Sequence, residues 1–133
     1  MTRDDLLMQV LQGVLVLVGD YRGSHAEMAG YVDKKSGQAI HSVRAIHLVE
    51  CVWYDRVDRV LLMQYFGGGA TLEQATATFR YERGRKYVFY LESFKRERGQ
   101  LTGRLAGWDP EPLEIAEEAV GSPQASLRPS NLV

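Results

Sequence analysis

The stretch YERGRKYVFYLESFKRERGQLTGR, residues 81–104, sets aromatic side chains between two groups of cations. With Arg80 just ahead of it, the window holds eight basic residues: Arg80, Arg83, Arg85, Lys86, Lys95, Arg96, Arg98 and Arg104. Only Glu82, Glu92 and Glu97 oppose them, a surplus of five positive charges in a chain whose formal charge is −1. Cations spaced along an extended segment neutralise phosphates, and a ring beside them offers an unpaired base a stacking face worth about 1–3 kcal/mol. If residues 86–92 alternate as a strand, Tyr87, Phe89 and Leu91 face a core while Lys86, Val88, Tyr90 and Glu92 face the other side. Tyr90 beside Lys86 is then the platform of a single-stranded nucleic-acid site. The competing reading is a basic hairpin that only solubilises, with Tyr90 lying under another element.

A second group, YVDKKSGQAIHSVR, brings Tyr31, Lys34, Lys35 and Arg44 around a hairpin tip. Such a tip can clamp a strand's backbone, although lysines at turns also discourage edge-to-edge strand pairing. Other chemistries lack their residues. FGGGATLE has neither the lysine followed by Ser/Thr of a phosphate loop nor G-x-G-x-x-G, so its glycines read as a connector. His41 and His47 share a strand parity but lie six residues apart, roughly 20 Å along a strand and too far for one zinc ion. Cys51 is the one cysteine, with no ligand motif around it, and reads as a packed apolar residue. No metal, cofactor or catalytic set is expected, and the chain reads as a non-enzyme.

The elements that must position these residues are mostly strands. Thr2 and Asp5 have capping spacing ahead of an apolar stripe, Leu6, Leu7, Val10 and Leu11, which predicts a helix over residues 2–12. VLVLVGDYRG predicts a strand covered on both faces, with Gly19 and Gly23 as bends or bulges. Two strands joined at Lys35-Ser36-Gly37 follow, then RVLLMQYF, a helical turn capped by Thr71 and Gln74, and a hairpin turning at RERG. About five strands with one non-strand insert predict a mainly β chain: a small five-stranded barrel of the oligonucleotide-binding type (OB-fold).

The 133 residues fit one domain. Residues 1–108, the helix and the barrel of 13–108, hold fifteen Lys/Arg against twelve Asp/Glu. Residues 109–133 hold Arg128 against five acids and read as an acidic, flexible tail with one helical turn around Leu113 to Val120. The longest apolar run, Val14 to Val18, is far below the ~20 residues of a membrane span. The acidic start MTRDDLL and the single cysteine lead to the expectation of a reducing, cytoplasmic setting.

In order and texture, KKSGQAIHSVRAIHLVE, DRVLLMQYF and YVFYLESFKRERGQLTGRL resemble the helix-destabilising, single-stranded DNA-binding proteins of filamentous phages, the gene V type, over roughly Gly13 to Leu105. The resemblance implies a five-stranded barrel, a homodimer and sequence-tolerant coating of single-stranded DNA, with Lys35 in a first clamp and Lys95 and Arg104 flanking the last hairpin. The chain departs where that family places stacking aromatics. Ile40 follows the clamp, and the last turn is RERG, so stacking falls to Tyr31, Tyr90 or Phe94. The resulting expectation is a binder of single-stranded DNA, or RNA, whose tail contacts the basic groove or a partner protein. The alternative is a β-barrel protein-interaction module without nucleic-acid binding.

Overall fold

Thr2 and Asp5 do form a capping box: Asp5 N–H donates to Thr2 Oγ1 and Thr2 N–H to the Asp5 carboxylate, each at 3.2 Å. In the computed structural model, which describes residues 1–114 and the side chains of all but Tyr31, this box starts helix α1, Arg3–Leu11. No residue of α1 is fully buried, and Leu7, Met8, Val10 and Leu11 face solvent.

Period-two burial then takes over. Strand β1 is Val16–Val32, β2 Ala39–Trp53 and β3 Arg56–Tyr65; a short helix, α2, spans Leu72–Thr76; β4 is Lys86–Glu97 and β5 Gln100–Leu105. In β2, Val43, Ala45, His47, Val49 and Cys51 are buried while the residues between them are partly exposed, the mark of a strand with one face in a core. Pairs β1–β2, β2–β3 and β4–β5 are antiparallel and β3–β5 is parallel. The start of β1 also pairs with β4, Val16 opposite Tyr90 through Asp20 opposite Lys86, so the order β1-β2-β3-β5-β4 returns to β1. The chain is thus mainly β, with five long strands in a closed, barrel-like sheet around Leu17, Val49, Val60, Leu62, Phe89 and Leu105. Closure brings β1 hard against β2 at Gly19. A Cβ there would overlap the Val49 side chain and sit 2.8 Å from the Glu50 carbonyl oxygen.

Three expectations change. VLVLVGDYRG is not a separate strand but the first part of the 17-residue β1, which bulges between Tyr21 and Gly23. Nor is its apolar run covered on both faces: Leu17 is buried, Val16 and Val18 partly so, and Leu15 is exposed. The fold also does not end at Trp108. Glu111–Pro112 forms β6 beside Tyr87 and Val88, and Glu114 N–H reaches the Met1 carbonyl at 2.6 Å. The physical reason is an open edge: β5 and Ala106 just after it cover β4 only from Tyr90 onward, leaving the residues before Tyr90 open on that side until β6 pairs with Tyr87 and Val88. The rest of the expected tail, including its helical turn, lies outside the described residues. Among the described residues, no helix is long and apolar enough to cross a membrane.

Candidate nucleic-acid interface

Strand register decides which cations meet. Residues opposite one another project from the same face, so Arg44 opposite Tyr65, Met63 opposite Arg104, Arg104 opposite Ser93 and Thr102 opposite Lys95 put all of these on the outer face of β2, β3, β5 and β4. They enclose a hollow of about 310 Å³ walled by Arg44, Tyr65, Lys95, Glu97 and Arg104. Tyr65 is 47% exposed, and the Arg104 guanidinium lies over its ring, 4.7 Å from the centroid.

Each cation has a carboxylate neighbour: Arg44 with Glu27 at 3.3 Å, Lys95 with Glu97 at 3.3 Å and Arg104 with Glu92 at 3.7 Å. The exposed pairs of Lys95 and Arg104 contribute about 0–1 kcal/mol, so a phosphate can displace those acids at little cost. Arg44 is the most constrained of the three. Its Nε is buried with no hydrogen-bond partner among the described residues, a donor left open in a half-buried side chain.

The remaining expected residues scatter. Lys34 and Lys35 are exposed on the β1–β2 turn, where Asp33 accepts from Lys35 N–H and the Ser36 hydroxyl at 3.0 Å each; those hydrogen bonds hold its carboxyl below the usual range. The Tyr31 side chain lies outside the described residues. Lys86 turns to the β1 side and meets Asp20 at 3.2 Å. Phe94 and Arg96 alternate with Lys95 and so leave β4 on the opposite face, while Arg98 occupies the β4–β5 turn at φ +53°. Arg83 and Arg85 sit in the loop before β4, Arg85 beside Glu82 at 3.4 Å.

Tyr90 is the clear correction. It is 2% exposed, under Trp108 and Met1, and its hydroxyl donates to Glu111; burial, then that carboxylate, raises its pKa. Its ring offers no face to a base, because β4 is buried on both sides from Tyr87 to Leu91. The exposed ring in the groove is Tyr65, which sequence reasoning passed over. Alternation in RVLLMQYF puts Tyr65 in line with Met63 and Leu61, but its pairing with Arg44 is a matter of register.

The histidine and cysteine are interior. His47 is fully buried: Nε2–H donates to Gln64 Oε1 at 3.0 Å, and Nδ1 accepts from the Ser24 hydroxyl, itself against Tyr21 Oη. Burial lowers its pKa, the Gln64 bond only partly offsetting this. Burial likewise pushes the Cys51 thiol up to about 11. Among the described residues, no three His, Cys, Asp or Glu side chains gather as a metal requires. Compared with known proteins, the chain matches no family model, no curated protein and no solved structure.

Proposed function

We propose that this chain binds single-stranded nucleic acid, DNA or RNA, without strong sequence choice, on the outer face of β2, β3, β5 and β4. One observation carries the reading: three cations from three strands, Arg44, Lys95 and Arg104, converge with the exposed Tyr65 on a single hollow. A base stacks on Tyr65 once Arg104 swings off the ring, and the phosphates on either side replace Glu27, Glu92 and Glu97 as partners of the three cations. This is also what the gene V-type resemblance implies for Lys95 and Arg104, and a cytoplasmic homodimer fits the same picture. The test is fluorescence anisotropy with end-labelled oligo-dT and duplex of equal length in low salt. Single strands should bind tighter, and log K should fall with log salt at about −0.7 per neutralised phosphate. Equal binding to duplex, or no binding, sinks the proposal.

A second reading, a protein-interaction surface, has its own observation. The β2–β3 hairpin tip exposes Val52, Trp53, Tyr54 and Val57. The α1 stripe is exposed too, and patches of this sort mark partner sites. Sedimentation of the full chain decides its simplest form: a monomer at tens of micromolar rejects a homodimer built on either patch.

A further inference from the structure

A second hollow, of about 330 Å³, opens beside the first and shares Tyr65 and Arg104 with it as walls. Trp108 lines this second hollow. It is 60% exposed and held by a perpendicular contact with the buried Tyr90, ring centroids 5.1 Å apart. A third hollow, of about 390 Å³, shares Tyr81, Asp109 and Pro110 with the second and is lined by Arg80 and Arg85. Arg80 has no ion pair among the described residues, and Arg85 has only its exposed contact with Glu82.

We propose that a bound single strand continues from Tyr65 past Trp108 to Arg80 and Arg85, with the Trp108 indole as a second stacking face. This rests on the single-strand reading of the first hollow. An extended strand presents bases and phosphates in turn, and the three connected hollows present a ring with its cation, then a ring, then two cations. Glu92 and Asp109 outnumber Arg104 in the middle hollow and disfavour a phosphate there, leaving the position to a base, whereas in the third hollow Arg80 and Arg85 offset Glu82 and Asp109. An anchored, wet indole suits that role: one part is fixed by Tyr90 and the rest is open to a flat partner. The path also gives the segment after β5 a reason to stay on the barrel, since β6 and Pro110 hold Trp108 and Asp109 at the rim.

The chain has two tryptophans, so Trp53→Phe leaves Trp108 as the sole indole reporter. That full-length variant is titrated with unlabelled oligo-dT of roughly 16 nucleotides, the upper end of what one such barrel covers. Affinity is measured separately by anisotropy of a labelled strand. The expected result is saturable quenching of indole emission. Trp108→Leu, which keeps an apolar cover over Tyr90, should lose about tenfold in affinity and Trp108→Phe no more than about threefold. Should the leucine variant melt lower than the parent, the quench alone decides. A labelled strand that binds while indole emission stays flat overturns this path and leaves the Tyr65 site standing. No binding of the labelled strand by the parent chain removes both.

Discussion

Two tyrosines separate the proposed binding from folding. Tyr65 lies on the outside of the sheet, 47% exposed, and its main neighbour is the Arg104 guanidinium. Tyr65→Ala therefore removes the proposed stacking face and one exposed cation–π contact, the latter worth about 0.5–1 kcal/mol. Loss of stacking should weaken oligo-dT binding by about 1–3 kcal/mol, roughly 5- to 150-fold in Kd, while the melting temperature moves by only a few degrees. Tyr90 is the reverse. At 2% exposure, with its hydroxyl on Glu111 and its ring on Trp108, it is a packing residue. Truncating a buried aromatic to alanine costs about 3–5 kcal/mol, which for a fold of this size lowers the melting temperature by roughly 10 °C or more. Affinity per folded molecule should hardly change unless Trp108 shifts with it. The assay is a matched pair of thermal melts and anisotropy titrations on both variants. Tyr65→Ala that binds as the parent does, together with Tyr90→Ala that binds weakly at an unchanged melting temperature, would place the stacking face on β4 and refute the assignment.

Arg104→Ala should lower the salt slope by about 0.7, whereas Lys86→Ala, whose cation meets Asp20 on the β1 side, should leave it unchanged; salt-dependent titrations compare the two. Stability should fall on mild acidification. Burial lowers the His47 pKa in the folded chain, so between the ordinary imidazole value of 6.5 and that lower value the unfolded chain binds the extra proton. Stability therefore declines as pH drops through this window, and denaturant melts of His47→Gln should show a shallower decline. Ending the chain at Trp108 removes β6 and the Glu111 partner of Tyr90, so it should lower the melting temperature rather than only release acidic charge; parallel melts of chains ending at 108 and 114 test this.

What was legible in the residues was local. Thr2 with Asp5 and Thr71 with Gln74 are side chains bonding backbone three residues away, so spacing alone reveals both caps. The turns at Lys35-Ser36-Gly37 and Arg98-Gly99 follow from φ values of +73° at Gly37 and +79° at Gly99, which glycine adopts without strain. Alternation in β2 told which side chains enter a core, and the strand count with its one helical insert led to the closed sheet.

Partnership across the sheet was not legible, because it depends on contacts between distant segments. Eight cations in one window look like a single patch on paper, but strand alternation and register divide them between two faces, a turn and a loop. Arg44 joins Lys95 and Arg104 only because β3 lies between β2 and β5 in parallel pairing with the latter. Tyr90 and Tyr65 have the same chemistry, and no neighbour in sequence distinguishes them. One is covered because β5 leaves the start of β4 open and the chain returns there as β6 beside Tyr87 and Val88, bringing Glu111 and Trp108 over Tyr90. The other stays bare because, among the described residues, nothing covers it on the outer face of β3. Residue types thus determined the strands and the chemistry available, while burial, a property of the closed sheet and its last short strand, determined which ring and which cations remain open to a ligand.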